Sequence, residues 1–404
     1  MTVHEIVEMD GHLIDSLLLT KVLDTVINGS GDYELLDVRV GRTSTDTSHA
    51  TIEVRAADEA TLSVLLGEIQ DLGANRAAEL DAHLVAADTD GVLPVGFYST
   101  TNLDSWVRVK GKWIMVTNPE MDCALVVEAD SARTVAMHRI RRGDQVVVGN
   151  DGVRVQPTER RRDDTSFEFM NSEVSSEKPK GLIVANVAAR LRATRAAGKK
   201  VLVVCGPAVI HTGAGPHIAW LVREGWIDVI FAGNGFATHD IETNVLGTSL
   251  GVSMQGHAPA EGGHSNHLRV INEVRRHGAI AAAVEAGYIT GGVMYECVRR
   301  GVPFVLGGSV RDDGPLPDVY SDVVKAADAM RSHVSDVGVA LMLATTLHAI
   351  ATGNVLPARV ETFCVDINPA VVTKLADRGS HQAVGIVTDT GLFCRLLAEE
   401  LKQQ

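Results

Sequence analysis

The sequence predicts an α/β protein: α+β segments first, then a doubly wound parallel sheet. Three observations carry that expectation. Beyond residue 180, runs such as VLVVCG, DVIFAG, PFVLGG and GVALMLA are apolar on both faces and alternate with segments of helical spacing, as strands covered on both sides require. Residues 1–91 mix two-residue alternation with two segments spaced by three and four. Residues 92 to about 165 hold short alternating runs between KGK and GND turns.

Taken in order, HEIVEM reads as a strand, SLLLTKVLDTVI as a helix, YELLDVRV and HATIEVRA as strands, EATLSVLLGEIQDL as a helix and DAHLVAA as a strand. This β-α-β-β-α-β order is the split βαβ, ferredoxin-like arrangement, expected over residues 1–91. FYSTTNLDSWVRV, KWIMV, CALVVE and QVVVG suggest a small β-rich domain over 92–165. The polar, aperiodic Arg160–Gly181 is the expected linker. Residues 180–404 then alternate strand and helix, with one helical stretch expected from His267 to Arg300.

The 404 residues and 45% apolar content suffice for a large core, and the net charge of −14 argues against nucleic-acid binding and mildly for a cationic small substrate. No apolar run reaches the roughly 20 residues that cross a bilayer. The start, MTVHEIVEMDGHLIDS, is acidic where a secretory signal is basic, so a cytoplasmic location is expected. Five scattered cysteines, never paired as CxxC, suggest reduced thiols rather than disulfides or a cysteine-rich metal site.

In such a sheet the loops after the strands share one edge, so HTGAG, GNGFATHD, GGSVRDDGPLPD, DINPA and TDTG are expected on one rim. Glycines let backbone approach a ligand and helix N-termini attract phosphate. Gly213-Ala214-Gly215 and Gly233-Asn234-Gly235 are thus candidate phosphate loops or mere tight turns, while Asp366 and Asn368 sit where an acid accepts ribose hydroxyls. The strict G-x-G-x-x-G spelling is absent.

CGPAVIHTG, AGNGFATHDIE, GGHSNHLRVIN, MYECV, PFVLGGSVRDDGPLPDV, CVDINPAVVTKLADRGS and GIVTDTGLF, with EMDGHLIDS and VGRTSTDTSHATIEV near the start, closely resemble the NAD-dependent ornithine cyclodeaminases of the archaeal and cyanobacterial type, a family sharing the lysine-ketoglutarate reductase/saccharopine dehydrogenase region. The resemblance covers nearly the whole chain. It implies a deoxyhypusine-synthase-like NAD domain, with His211, Thr212, Gly213, Ala214, Gly215, Gly233, Asn234, Gly235, Ser309, Asp366 and Asn368 toward the cofactor, while Asp389 in TDTG is a helix cap or lies at the cofactor's edge. Gly235-Phe236 departs from the family pattern. The implied reaction passes a hydride from the ornithine α-carbon to NAD and back, with cyclisation and loss of ammonia in between, giving proline.

Such chemistry needs a proton-transfer group near the amines, a carboxylate site and exclusion of water. Cys297 is a candidate proton shuttle or a small buried residue; Asp240, with His239 and Glu242, a holder of the cationic amine or a helix cap; Lys374 a base or an exposed helix lysine. Arg311, Asp312 and Asp313 cluster at a strand end, where charge is not needed for packing. Asn118 and Asp122, beside Glu120 and Cys123, form a candidate substrate loop or a plain turn. His264 and Asn266 are candidate substrate contacts; His264 and His267 have ligand spacing but no third partner, so no metal is expected. A homo-oligomer is expected, because sheet edges of both kinds commonly pair.

Overall fold

A computed structural model describes residues 2–14, 17–42, 46–157, 180–249, 252–253, 265–312, 314–377 and 383–403. All but the last two residues of the expected linker lie outside them. The chain divides into two compact units, Met1–Phe169 with Leu356–Arg359, and Met170–Val355 with Val360–Gln404.

In the first unit, β1 (Val3–Gly11), α1 (Leu18–Asn28), β2 (Asp32–Arg39), β3 (Ser48–Ala56), α2 (Glu59–Gln70) and β4 (Asn75–Arg76) build a four-stranded sheet of order β2-β3-β1-β4. Strict alternation in β3 sends Ala50, Ile52 and Val54 inward, where they meet Val22 and Val26 of α1 and Leu62, Leu65 and Ile69 of α2. Asp58 starts α2 by accepting the Thr61 N–H at 2.8 Å. This is the expected ferredoxin-like sheet with one correction. Its fourth strand is the two-residue β4, whereas DAHLVAA supplies β5 (His83–Ala86), which pairs with another sheet. Alternation identifies a strand but not its partner.

That second sheet contains β5, β6 (Asp104–Val109), β7 (Lys112–Thr117), β8 (Ala124–Glu128), β9 (Ser131–Val135), β10 (Gln145–Val148) and β11 (Val153–Gln156), in the order β11-β6-β7-β9-β8-β10-β5. Asn75 joins the two sheets: its Nδ2 donates to the Val155 carbonyl at 3.0 Å and its Oδ1 accepts the Val155 N–H at 2.9 Å.

The second unit runs α3 (Lys180–Ala196), β12 (Lys200–Cys205), α4 (Ala208–His211), α5 (Gly215–Arg223), β13 (Val229–Gly233), α6 (Asn234–Leu246), β14 (Thr248–Ser249), β15 (Val252–Ser253), α7 (Asn266–His277), α8 (Ile280–Glu285), α9 (Val293–Arg300), β16 (Phe304–Gly307), β17 (Val319–Tyr320), α10 (Val323–Arg331), β18 (Val337–Leu343), α11 (Leu347–Val355), β19 (Glu361–Asp366), α12 (Pro369–Asp377), β20 (Ala383–Val387) and α13 (Thr390–Lys402). The helical stretch expected from His267 to Arg300 is three helices, because Gly278 and Gly292 take φ of 85° and 98° and end or precede helices there.

Every ladder of the seven-stranded sheet β17-β16-β13-β12-β18-β19-β20 is parallel. Counted from β12, and leaving the short edge strand β17 aside, the order is 3-2-1-4-5-6, and the direction of winding reverses between β12 and β18. A crevice at such a reversal, at the carboxyl ends of the strands, is where doubly wound sheets bind dinucleotides. Phe231 and Phe363 are fully buried at its centre. Phe231→Ala is expected to cost about 3–5 kcal/mol of stability, measured as a lowered urea midpoint.

Candidate functional site

The register brings the strand ends into one line. Cys205 pairs with Ala232 and Leu343, Gly233 with Gly307, Leu343 with Val365 and Asp366 with Val387. At the reversal point the Gly206 N–H donates to the Leu343 carbonyl at 2.9 Å, and a Cβ on Gly206 would run into the Ala344 carbonyl oxygen. Only glycine fits there. On the next strands Gly233 and Gly307 leave room for the imidazole of His348, which comes from α11 and would touch a Cβ at either position at 3.1 Å.

The helices leaving β12 and β13 carry a buried polar cluster. Glu242 of α6 is wholly buried; its Oε2 lies 2.9 Å from His239 Nδ1, and its Oε1 accepts the Thr248 hydroxyl at 2.8 Å. Asn266 Nδ2 donates to Thr248 Oγ1 at 2.9 Å. The His211 ring stands edge-on to His239, centroids 4.8 Å apart, with Nδ1 2.7 Å from Ser249 Oγ, and the His267 ring lies 6.5 Å from His239. An ionised Glu242 can only accept, and with it in that form His239 holds its proton on Nδ1 and leaves Nε2 free to accept one. Burial, reinforced by His239, pushes the His211 imidazole below its ordinary range, although Glu242 acts in the opposite direction.

Several expected residues gather here and several do not. His211 and Asn266 join the cluster through Ser249 and Thr248. Asp240 does not: its two oxygens accept the N–H groups of Val293 and Met294 at 2.9 and 2.8 Å, so it caps α9 rather than holding an amine. Burial raises its carboxyl to about 6 against the pull of those two donors. Glu242, two residues on, is the carboxylate of the cluster. Cys297 is fully buried in α9, and burial, with Asp240 nearby, pushes its thiol up, which favours the small buried residue of the two alternatives.

The loop at Thr212, Gly213 and Ala214 is not an open phosphate cradle, since its N–H groups bond the carbonyls of Ala208, Ile210 and Val209 and close the α4 turn. Gly215 is buried at the start of α5, beside Ile210. The free first-turn N–H groups belong instead to α6, which begins at Asn234-Gly235 directly after Gly233 and abuts Pro207. The Asn234 side chain itself is committed to the Leu316 N–H at 3.0 Å.

At the rim, Ser309 and Arg311 lie in an exposed turn that Asp312 closes by accepting the Ser309 N–H at 2.8 Å, which makes Asp312 a turn residue. Asp366 is buried with Oδ1 on the Asn368 N–H at 2.8 Å, and Asn368 Oδ1 takes the Ala370 N–H at 3.0 Å. Asp389 caps α13 through the Leu392 N–H at 2.7 Å, and Lys374 is solvent-exposed on α12. Asn118 and Asp122, in the first unit, adopt φ of 48° and 59° in a turn pinned by Thr100. His264 and Asp313 lie outside the described residues. Among the described residues no three His, Cys, Asp or Glu side chains form a metal site, and no helix is long and apolar enough to cross a membrane.

His348 carries no sequence signal, since it belongs to none of the motifs. Burial lowers the His348 imidazole in spite of Asp312, so it sits neutral beneath Gly233 and Gly307.

Comparison with known proteins places this geometry among relatives. Residues 185–397 match the model "Arginine dihydrolase ArgZ-like, C-terminal, Rossmann fold", residues 104–184 its first C-terminal region, and residues 4–103 the LOR/SDH bifunctional enzyme conserved region. The chain is 50% identical over 402 residues to the ornithine cyclodeaminase of Methanopyrus kandleri, covering 99% of this chain and 97% of that one. It superposes on apo ArgZ, an arginine dihydrolase from the ornithine-ammonia cycle in cyanobacteria, with a TM-score of 0.86 and 40% identity. It also matches AgrE, solved in a ternary complex with ornithine and NAD+, with a TM-score of 0.55 and 43% identity. Both matches cover 100% of this chain and 58% of the longer cyanobacterial chain.

The cap assigned to Asp240 is open to measurement. Asp240→Ala leaves two buried N–H groups unpaired, an expected cost of about 2–4 kcal/mol. Because the carboxyl titrates near 6 in the fold against 3.8 ordinarily, the folded chain binds that proton more tightly than the unfolded chain. Its stabilising share is therefore full below about pH 4 and is lost as pH rises through about 6. The gap between wild type and Asp240→Ala in urea midpoints is expected to narrow over that interval; a gap widening with pH shows the two donors outweighing burial, and no gap at any pH excludes the cap.

Proposed function

We propose an activity from one premise: the chain belongs to the ornithine cyclodeaminase family of ArgZ-like proteins. The protein is an NAD-dependent enzyme that converts ornithine to proline and ammonia. The observation that carries this reading is the Glu242–His239–His211 cluster on the helices leaving the first two strands of a dinucleotide-type sheet. The ornithine and NAD+ held by AgrE support the same substrate and cofactor.

The chain's own residues fit the cofactor. Gly206, Gly233 and Gly307 end three neighbouring strands without side chains, and the α6 N-terminus offers free N–H groups to a phosphate beside Gly206-Pro207. NAD, when bound, accepts a hydride from the substrate α-carbon and later returns it. The protein handles the protons. His239 Nε2 takes the proton released from the substrate amine, while Glu242 holds Nδ1–H and stabilises the resulting imidazolium. Thr248 and Asn266 fix the second carboxylate oxygen, so the pair keeps its orientation through the cycle. His211, kept neutral by burial, adds no positive charge next to a cationic substrate. A net charge of −14 draws that substrate in.

The direct test incubates the purified protein with ornithine and NAD and follows proline, ammonia and absorbance at the NADH band. Proline with equimolar ammonia and no net NADH is expected. Turnover of lysine but not ornithine would transfer the reading to a longer substrate, and binding without turnover of either would make the chain a sensor rather than an enzyme.

A second measurement isolates the proton-handling pair. Glu242→Gln keeps an acceptor for Thr248 but removes the charge facing His239. kcat should fall roughly 10²-fold while NAD still binds. An unchanged kcat removes Glu242 from the mechanism.

A further inference from the structure

The chain leaves β18 by a strained path. Ala344 takes a φ of 47° although it carries a side chain, a conformation that gathers at functional sites. Its N–H donates to the Val365 carbonyl at 2.9 Å, while its own carbonyl stands where a Cβ on Gly206 would be, at the end of β12. The segment then crosses that strand end and enters α11, whose first turn sets the His348 ring against the ends of β13 and β16. A Cβ on Gly233 would lie 3.1 Å from His348 Cε1, and one on Gly307 3.1 Å from Nε2. Three neighbouring strands thus end in glycine along the path of one segment, and a strained residue begins it. Mere filling of the space would not need this, since a leucine supplies similar volume.

Right-handed crossovers place α11 on the sheet face opposite α6. Helices on both faces therefore bring an imidazole toward β13, His239 from α6 and His348 from α11. The His348 ring makes no hydrogen bond or ion pair among the described residues, and the charged group that acts on it is Asp312, just past β16. Burial keeps it neutral, with Asp312 pulling the other way. It is a free base with a carboxylate near enough to meet its charge once protonated.

Resting on the cyclodeaminase reading, we propose that His348 is a second catalytic residue, which serves the substrate's δ-nitrogen and the departing ammonia. Loss of the hydride leaves the α-carbon doubly bonded to its nitrogen, with one α-ammonium proton on His239. His348 takes a proton from the δ-ammonium; the freed pair forms the ring bond to the α-carbon, and the C=N pair returns to the α-nitrogen. His348 gives that proton to the α-nitrogen and receives one from the ring nitrogen. The α-nitrogen leaves as ammonia with its bonding pair, and the ring nitrogen's pair closes a new C=N bond. That bond takes back the hydride, His348 returns its proton to the ring nitrogen of proline, and the proton on His239 leaves with ammonia as ammonium.

Rapid mixing of the full chain with NAD and ornithine separates the two halves of the cycle. His348→Gln, which stays polar and nearly fills the seat, and His348→Ala, which empties it, should both bind NAD and ornithine within about threefold of wild type by calorimetry. In both, the NADH band should rise and persist while proline forms roughly 10²-fold more slowly. Added imidazole should speed proline formation by His348→Ala about tenfold, and pyrazole, of the same shape but scarcely basic, should not; circular dichroism checks that both variants fold. An unchanged proline rate in either folded variant, loss of the NADH rise along with proline, or equal rescue by pyrazole overturns the proposal and leaves the cyclodeaminase reading standing. No proline from the wild type removes both.

Discussion

Parallel register is the constraint from which the site follows. With β16, β13, β12, β18, β19 and β20 all running one way, every strand delivers its last residue to the same edge, and each must then turn through a crowded space. At Gly206 that crowding is absolute, because the Ala344 carbonyl occupies the volume a side chain would need. Close approach of β12 and β18 at the point where the winding reverses makes the floor of the crevice bare backbone. Backbone without a side chain at Gly206 lets a ligand approach the strand end closely.

A wholly buried carboxylate sets the second constraint. Glu242 is stable in that position only because an imidazole, a hydroxyl and, through the hydroxyl, an amide surround it. Asp240, on the same helix and equally buried, solves the problem differently, by accepting two backbone N–H groups at the start of α9. The contrast explains their separate roles. A carboxylate spent on backbone donors is a fastener, whereas one spent on histidine orients a ring whose other nitrogen can exchange a proton.

How much of this was legible in the sequence depends on the kind of signal. Period and apolarity gave the sheet types and the position of the rim, since strands such as VLVVC and VIFAG cannot be anything but doubly covered. Pairing partners were not legible: DAHLVAA alternates as an edge strand of either neighbouring sheet would. Glycine spelling suggested a cradle at Gly213-Ala214, but the N–H groups there close a helical turn, which only the hydrogen bonds reveal. Among the three acidic or imidazole residues in HDIE, the sequence gives equal standing to each; a helix rotates successive residues by about 100°, so Asp240 and Glu242 face different neighbours. His348 was invisible, because what marks it is the room that two glycines leave for its ring.

The same physical reasoning ties the cluster to the proposed chemistry. Hydride transfer requires the substrate α-carbon against the nicotinamide, and the proton released from its amine must be taken up within hydrogen-bond reach. Among the described residues a buried imidazole–carboxylate pair stands on the β12–β13 side. An imidazole that gives its Nδ1–H to Glu242 keeps Nε2 for a proton, and the charge it then acquires is met by the carboxylate beside it.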